Sequence, residues 1–533
     1  MGRSNQDDMQ GPAPQLRDGA VIASLATLLA YGAIFLLRGG LEGTMAQYAG
    51  MVGLVLLPIW LSTWAVGRFG TSDLNAALAL LISLFAGILF PLLGLVAGTA
   101  ALWAALALLL FVLGASVLQL RIGGKLWGVM VMAVVSAGLT VMLGGAIRLF
   151  MPEALTLGVA TSDAYWHTAI MQMIGRHWVP SIGGDGLYFQ NYHFLFHMVT
   201  AGTAKMTGAS IPLVYGLWTG LGLKIQLVWC LFSAGCLLYR AEGINAAAWR
   251  FAYVWIAALL AYGFETESYV LGVALFAAWL PSMLLVLRGK DRNPVVSIVL
   301  LCLGVFPIAL GKASVGYFAV IALFLLLWHC RAKPFLAALI TATIIGVAAF
   351  AEHLLIPKEL VLTDSGLGIL VNSYLMYFAR GVGLHYLLPP FLVLVYLFRP
   401  RAALSHANGG AWSLKLDAAA GQDMSRPLPG WIARGNGIAA PLRFFARADV
   451  TAQLLFLMWL GLVFLLLVMP IGDNIWDFSA PMCAISLLLL PAATGETVGL
   501  LVTSRAIKWT AALLLGLYVF QAAILFIFNP QGA

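Results

Sequence analysis

Asp163 and His167 stand four residues apart in the stretch TSDAYWHTAIMQMIGRHWVPSIGGDGLYFQNYHFLFH, residues 161–197. Thr161 or Ser162 can cap a helix running to about Ile174. Asp163 then lies in its first turn, where the helix dipole favours a negative charge. His167 shares its face one turn further on. A carboxylate and an imidazole so placed can act as a base and its partner, or hold a divalent cation such as Mg or Mn. The same spacing also suits a plainer arrangement, with Asp163 stabilising the helix N-terminus and His167 among lipid headgroups. His193 and His197 repeat the spacing after the turn VPSIGGDG, which carries Asp185. Two helices facing each other across that turn would form one pocket, with Tyr165 among its residues. Otherwise His193 and His197 belong, with Asn191 and Tyr192, to an amphipathic helix that faces water.

Further along are more charged candidates. Lys312, in LGKASVGYF, is placed to meet a phosphate, a use that suits a point charge. Neither a Walker A loop nor GxSxG fits it, because Phe306 and Lys312 stand where those motifs need glycine. Arg380, in NSYLMYFARG, could also bind phosphate. Asp473 and Asp477, in IGDNIWDFSAP, are a second acidic pair. Lys224 falls within an apolar run, where a charge is costly and marks either a functional group or a side chain reaching for the interface. Glu265 and Glu267 share a loop with Tyr262 and Tyr269 and read as solvated. There is no HExxH, and the five cysteines form no CxxC, so neither a zinc site nor a disulfide framework is indicated.

The elements that must position these residues are membrane helices. Hydrophobic residues make up 62% of the 533-residue chain and charged ones 9%, with a mean hydropathy of +0.96. Soluble domains are about 45–50% apolar. Apolar runs of about 20 residues recur throughout, each long enough for a hydrocarbon core of about 30 Å. The runs are 20–38, 46–66, 74–97, 99–120, 126–149, 218–238, 246–264, 269–288, 294–310, 314–330, 334–356, 381–398, 451–470, 478–495 and 508–528. The fold class is therefore an all-α polytopic membrane protein with roughly 13 to 16 transmembrane helices. The net charge of +8 is spread over short loops and does not point to nucleic acid.

Lys and Arg mark the cytoplasmic side. Arg121 with Lys125, Arg240 with Arg250, Arg288 to Arg292, Arg331 with Lys333, Arg399 with Arg401, and Arg505 with Lys508 all fall on one side. Segment 151–210, Lys312, Asp473 and Asp477 fall on the other. This alternation requires 192–207, about 16 residues long, to lie at or dip into the outer face rather than cross. The chain divides into a cytoplasmic tail 1–19, an N-terminal transmembrane unit 20–125, a core 126–398 with the outer loop 151–210, a basic cytoplasmic insert 399–449, and C-terminal helices 450–533. The polar start reads as a tail rather than a cleaved leader. The end of the insert, GIAAPLRFFARAD, can lie on an anionic membrane surface or serve as a flexible linker.

Three stretches resemble the GT-C superfamily of polytopic glycosyltransferases. SDAYWHTAIMQMIGRHWVP gives an outer-loop acid followed by an aromatic and histidine helix. QNYHFLFHMVTAGTAKMTG is similar to a Tyr-His helix ending in Thr-Gly. LGKASVGYF is similar to the Lys-Gly loop of the polyprenyl-phosphate-sugar branch. Two features depart from the pattern: Ala164 and Tyr165 stand where a second acid is usual, and Lys312 is followed by Ala313. Five spans precede the loop where the family usually has one, so 20–120 reads as an added unit. The resemblance is closest over 160–240. It implies a GT-C-like bundle in a bacterial inner membrane. There, a sugar would pass from a polyprenyl-phosphate donor to a glycan, lipid or protein acceptor outside. By position it gives Asp163 the role of base or metal ligand and Lys312 the donor phosphate. Other readings are a transporter or flippase for an anionic or lipid-linked solute, an O-antigen polymerase or ligase, and a membrane subunit without chemistry.

Overall fold

The computed structural model describes residues 13–38, 42–70, 72–117, 126–144, 149–160, 162–181, 194–238, 253–254, 256–257, 267–287, 294–329 and isolated positions 450, 453–454, 456–457, 485 and 488. Every element of more than one residue among them is helical. We number these helices α1 (Ala13–Leu37), α2 (Met45–Phe69), α3 (Asp73–Ala97), α4 (Thr99–Val117), α5 (Leu126–Gly144), α6 (Met151–Thr156), α7 (Ser162–His177), α8 (Leu195–Thr207), α9 (Ile211–Leu238), α10 (Glu267–Leu287), α11 (Pro294–Gly311) and α12 (Ala313–His329).

Six of the described helices are long and apolar enough to cross a membrane: Gln15–Leu37, Met45–Phe69, Asp73–Ala97, Thr99–Ser116, Ile211–Leu238 and Tyr269–Leu287. Three shorter apolar helices cover Trp127–Val141, Val296–Gly311 and Ser314–Phe324. The chain is an integral membrane protein. The runs expected after 330 and the insert 399–449 lie almost wholly outside the described residues.

Local sequence explains where helices begin. Thr44 caps α2 in a reciprocal box with Gln47, and Ser72 caps α3 through the Asn75 N–H. Pro58, Pro91, Pro281 and Pro307 sit inside helices, as membrane helices tolerate when neighbours satisfy the freed backbone. Span α9 contains a π-helical segment, Tyr215–Gly222. Its wider winding disturbs the usual backbone pairing, and Tyr31 of α1 donates its hydroxyl to the Leu217 carbonyl at 2.7 Å. Two buried indoles are likewise satisfied: Trp229 donates to Ser62 Oγ at 3.0 Å and Trp279 to the Leu301 carbonyl at 2.9 Å.

The helices pack as one body. Helix α1 lies along α5 and α2, and α3 lies along α2, α8 and α10. Helix α8 matters most to the site. It is too short to cross, yet Phe196, His197, Val199, Ala201 and Met206 are all buried. Small residues allow this. A Cβ on Gly202 would collide with the Pro91 carbonyl of α3, and one on Gly94 would collide with Met206. Lys205 Nζ donates to the Leu95 carbonyl at 3.0 Å. Gly202→Ala is therefore expected to cost at least the ~1–3 kcal/mol of an overpacked core. Gly32→Ala meets nothing within 4 Å and is expected to be neutral or slightly stabilising. Melting temperatures in detergent check the contrast. Equal values for the two variants would mean that α3 and α8 are not in backbone contact.

Candidate functional site

Helix α7 runs Ser162–His177, so Asp163 lies in its first turn and His167 one turn later, as the spacing predicts. The Asp163 side chain lies outside the described residues. Arg176 and His177 end the helix, where positive charge suits its dipole.

His167 faces α8. Its Nδ1 is 2.8 Å from Nε2 of His197, and the ring centroids are 5.0 Å apart. His167 is 5% exposed and His197 is fully enclosed. One nitrogen must donate and the other accept, so at least one ring is neutral while the contact holds. The pair can carry one added proton and pass it across the bond. That is the property a proton relay needs. Aromatic rings wall the pair. Trp166 lies 5.0 Å from His167 and 6.3 Å from His197, Phe196 lies 5.0 Å from His197, and Tyr215 lies 6.3 Å from His167. Tyr215 opens the π-helical segment, so the site rests on the irregular part of α9. Thr200 and Thr219 approach to 3.4 Å at the same packing surface.

His197 does not face water, as an amphipathic surface helix would require. Helix α8 turns it inward because its opposite side is held by α3. Tyr165 points elsewhere: it is exposed, and its hydroxyl donates to the Leu155 carbonyl at 3.1 Å. His193, Asp185, Arg380, Asp473 and Asp477 lie outside the described residues. Among the described residues no group of three or more His, Cys, Asp or Glu side chains is gathered as metal ligands. A cation at Asp163 and His167 would have to use the His167 nitrogen not engaged with His197.

Lys312 forms a separate centre. It is the single residue between α11 and α12, and its backbone continues both, bonding Ile308 O at 2.9 Å and receiving Gly316 N at 3.0 Å. The tip is 3% exposed. Gly272 of α10 presses on it, and a Cβ there would stand 2.8 Å from Lys312 Cβ. The ammonium sits 4.2 Å from the centre of the Tyr269 ring. Tyr269, expected in a solvated loop, is instead buried in α10. The Tyr269 and Ser314 hydroxyls are buried there without hydrogen-bond partners among the described residues. Helix α8 touches α7 on one side and α10 and α11 on another, so both centres attach to one helix.

Sequence reasoning missed Arg38 and Glu42. Their signal was available: by the charge alternation Arg38 ends a span on the side where Lys and Arg are disfavoured, as Lys312 also does.

No family model, no curated protein and no solved structure matches this chain.

Proposed function

We propose that the protein is a GT-C-like membrane glycosyltransferase. It moves a sugar from a polyprenyl-phosphate donor to a glycan, lipid or protein acceptor on the extracytoplasmic face of a bacterial inner membrane. The observation that carries this reading is the His167–His197 contact, one helical turn from Asp163 and enclosed among membrane helices. A sugar ester of a lipid phosphate already holds its leaving group, so the chain needs no nucleotide. It needs a base for the acceptor hydroxyl, here Asp163 acting with the histidine pair. It also needs positive charge for the departing phosphate, here Lys312 and Arg380. A divalent ion at Asp163 and His167 would add Lewis-acid stabilisation of that phosphate. The lipid tail stays in the bilayer throughout.

The test is transfer of radiolabelled sugar from polyprenyl-phosphate donors in membranes carrying the protein, with and without EDTA. Label reaching an acceptor establishes the class. Loss of transfer with EDTA adds the ion, and transfer indifferent to EDTA leaves the protein cations to serve the phosphate. Folded protein that transfers from no donor would sink the proposal. A transporter is the second reading, favoured by Lys224, which is buried in α9 two residues beyond the π-helical segment. Uptake or flipping lost in Lys224→Met would support it.

A further inference from the structure

Arg38 is 2% exposed, less than Lys312 or Lys224, and the two centres described above do not use it. It follows α1, its N–H bonding the Ile34 carbonyl at 3.0 Å. Its guanidinium donates from Nη1 to the Leu149 carbonyl at 2.7 Å and from Nη2 to Glu153 Oε1 at 2.6 Å. A longer contact of 3.4 Å reaches Glu42 Oε2. Its Cζ lies 5.6 Å from the centre of the Phe150 ring. Leu149, Phe150 and Glu153 are the approach, the cap position and the first turn of α6, and Phe150 supplies no side-chain cap of its own. One planar fork therefore holds the start of that helix by backbone, ring and carboxylate, which a lysine cannot do.

Glu42 and Gln47 grip the other half of the site. Glu42 Oε1 accepts the hydroxyl of Ser210, the residue that caps α9. Gln47 Nε2 donates to the Gly208 carbonyl at 2.7 Å, at the end of α8. From α6 the path continues to the site through the Tyr165 hydroxyl on Leu155, two residues before His167. From Gly208 it continues along α8 to His197. Arg38, Glu42 and Gln47 thus hold the helix leading to one histidine and the end of the helix bearing the other.

We infer that Arg38 is a positioning residue, which sets α7 against α8 and thereby the His167–His197 contact. Its consequence for sugar transfer rests on the reading above, but its effect on the two helices does not.

A disulfide reports that geometry directly. A Cβ built on Gly175 of α7 stands 3.9 Å from Ala201 Cβ of α8, near the ~3.8 Å usual for a disulfide. In the full chain carrying Gly175→Cys and Ala201→Cys, oxidation is followed by loss of maleimide labelling, with each single variant as background. Arg38→Gln is expected to slow closure at least fivefold, and Arg38→Lys to fall between. Gly304→Ala, whose Cβ would press on Trp279 at 2.9 Å, serves as a destabilised control that leaves closure unchanged. Should Arg38→Gln fail to fold, Glu153→Ala removes one anchor and is read the same way. Closure as fast as in the parent, or slowed no more than by Gly304→Ala at equal loss of melting temperature, overturns the assignment. Slowed closure in a protein that transfers no sugar would retain it and overturn only the transferase reading.

Discussion

Asparagine at position 163 is expected to lower sugar transfer about 10³-fold, and glutamine at position 197 about 10²-fold, within the usual range for removing a proton-transfer group. Asparagine keeps the shape and polarity of Asp163 but cannot take a proton. Glutamine at 197 can still hydrogen-bond His167 across the 2.8 Å contact, yet it cannot carry charge. Both substitutions spare the packing among Trp166, Phe196 and Tyr215, so melting temperatures should change little. The double variant His167→Gln/His197→Gln should be no slower than the worse single one, because residues that act as one unit do not add. Additive losses would mean two independent groups. Transfer near the wild-type rate in His197→Gln, with the fold intact, would reduce the pair to a structural hydrogen bond and leave Asp163 to act alone.

The apolar runs predicted the spans well where length alone decides, and less well where polar or small residues are helical. Helix α1 begins at Ala13 rather than 20, because Gln15 and Arg17 are good helix residues that a hydropathy criterion discards. Span α9 begins at Ile211 rather than 218, because Pro212 and Gly216 look like breakers in isolation; Pro212 sits where a helix start accepts it. The Asp163–His167 spacing was readable because it is local. The His167–His197 contact spans 30 residues and the Arg38–Glu153 pair 115, and no pattern within one helix encodes either. Segment 192–207 was judged by its length. The better guide was Gly202, whose missing side chain lets α8 press against the Pro91 carbonyl of α3 while its histidine turns inward.

Lys312→Met is expected to lower kcat/KM for the lipid donor about 10²- to 10³-fold, the usual consequence of removing one charge-stabilising donor. Lys312→Arg should do little better. The residue sits at the one-residue junction of α11 and α12 with Gly272 backbone against it, and a planar fork cannot replace a point charge over the Tyr269 ring in that space. Tyr269→Phe separates the roles of ring and hydroxyl. It keeps the aromatic face that holds the ammonium and removes a buried hydroxyl without a partner among the described residues. Its melting temperature should therefore stay level or rise. Tyr269→Leu removes the face and should cost up to about 2 kcal/mol, the range for a desolvated cation–π contact. A phosphate entering this centre would bring a full negative charge to the Lys312 ammonium. Added polyprenyl phosphate should thus raise the melting temperature of the wild type, by about 2.7 kcal/mol of stabilisation at a hundredfold excess over Kd. The same addition should leave Lys312→Met unmoved. Equal stabilisation of both proteins would place the lipid phosphate elsewhere, with Arg380 the next residue to test.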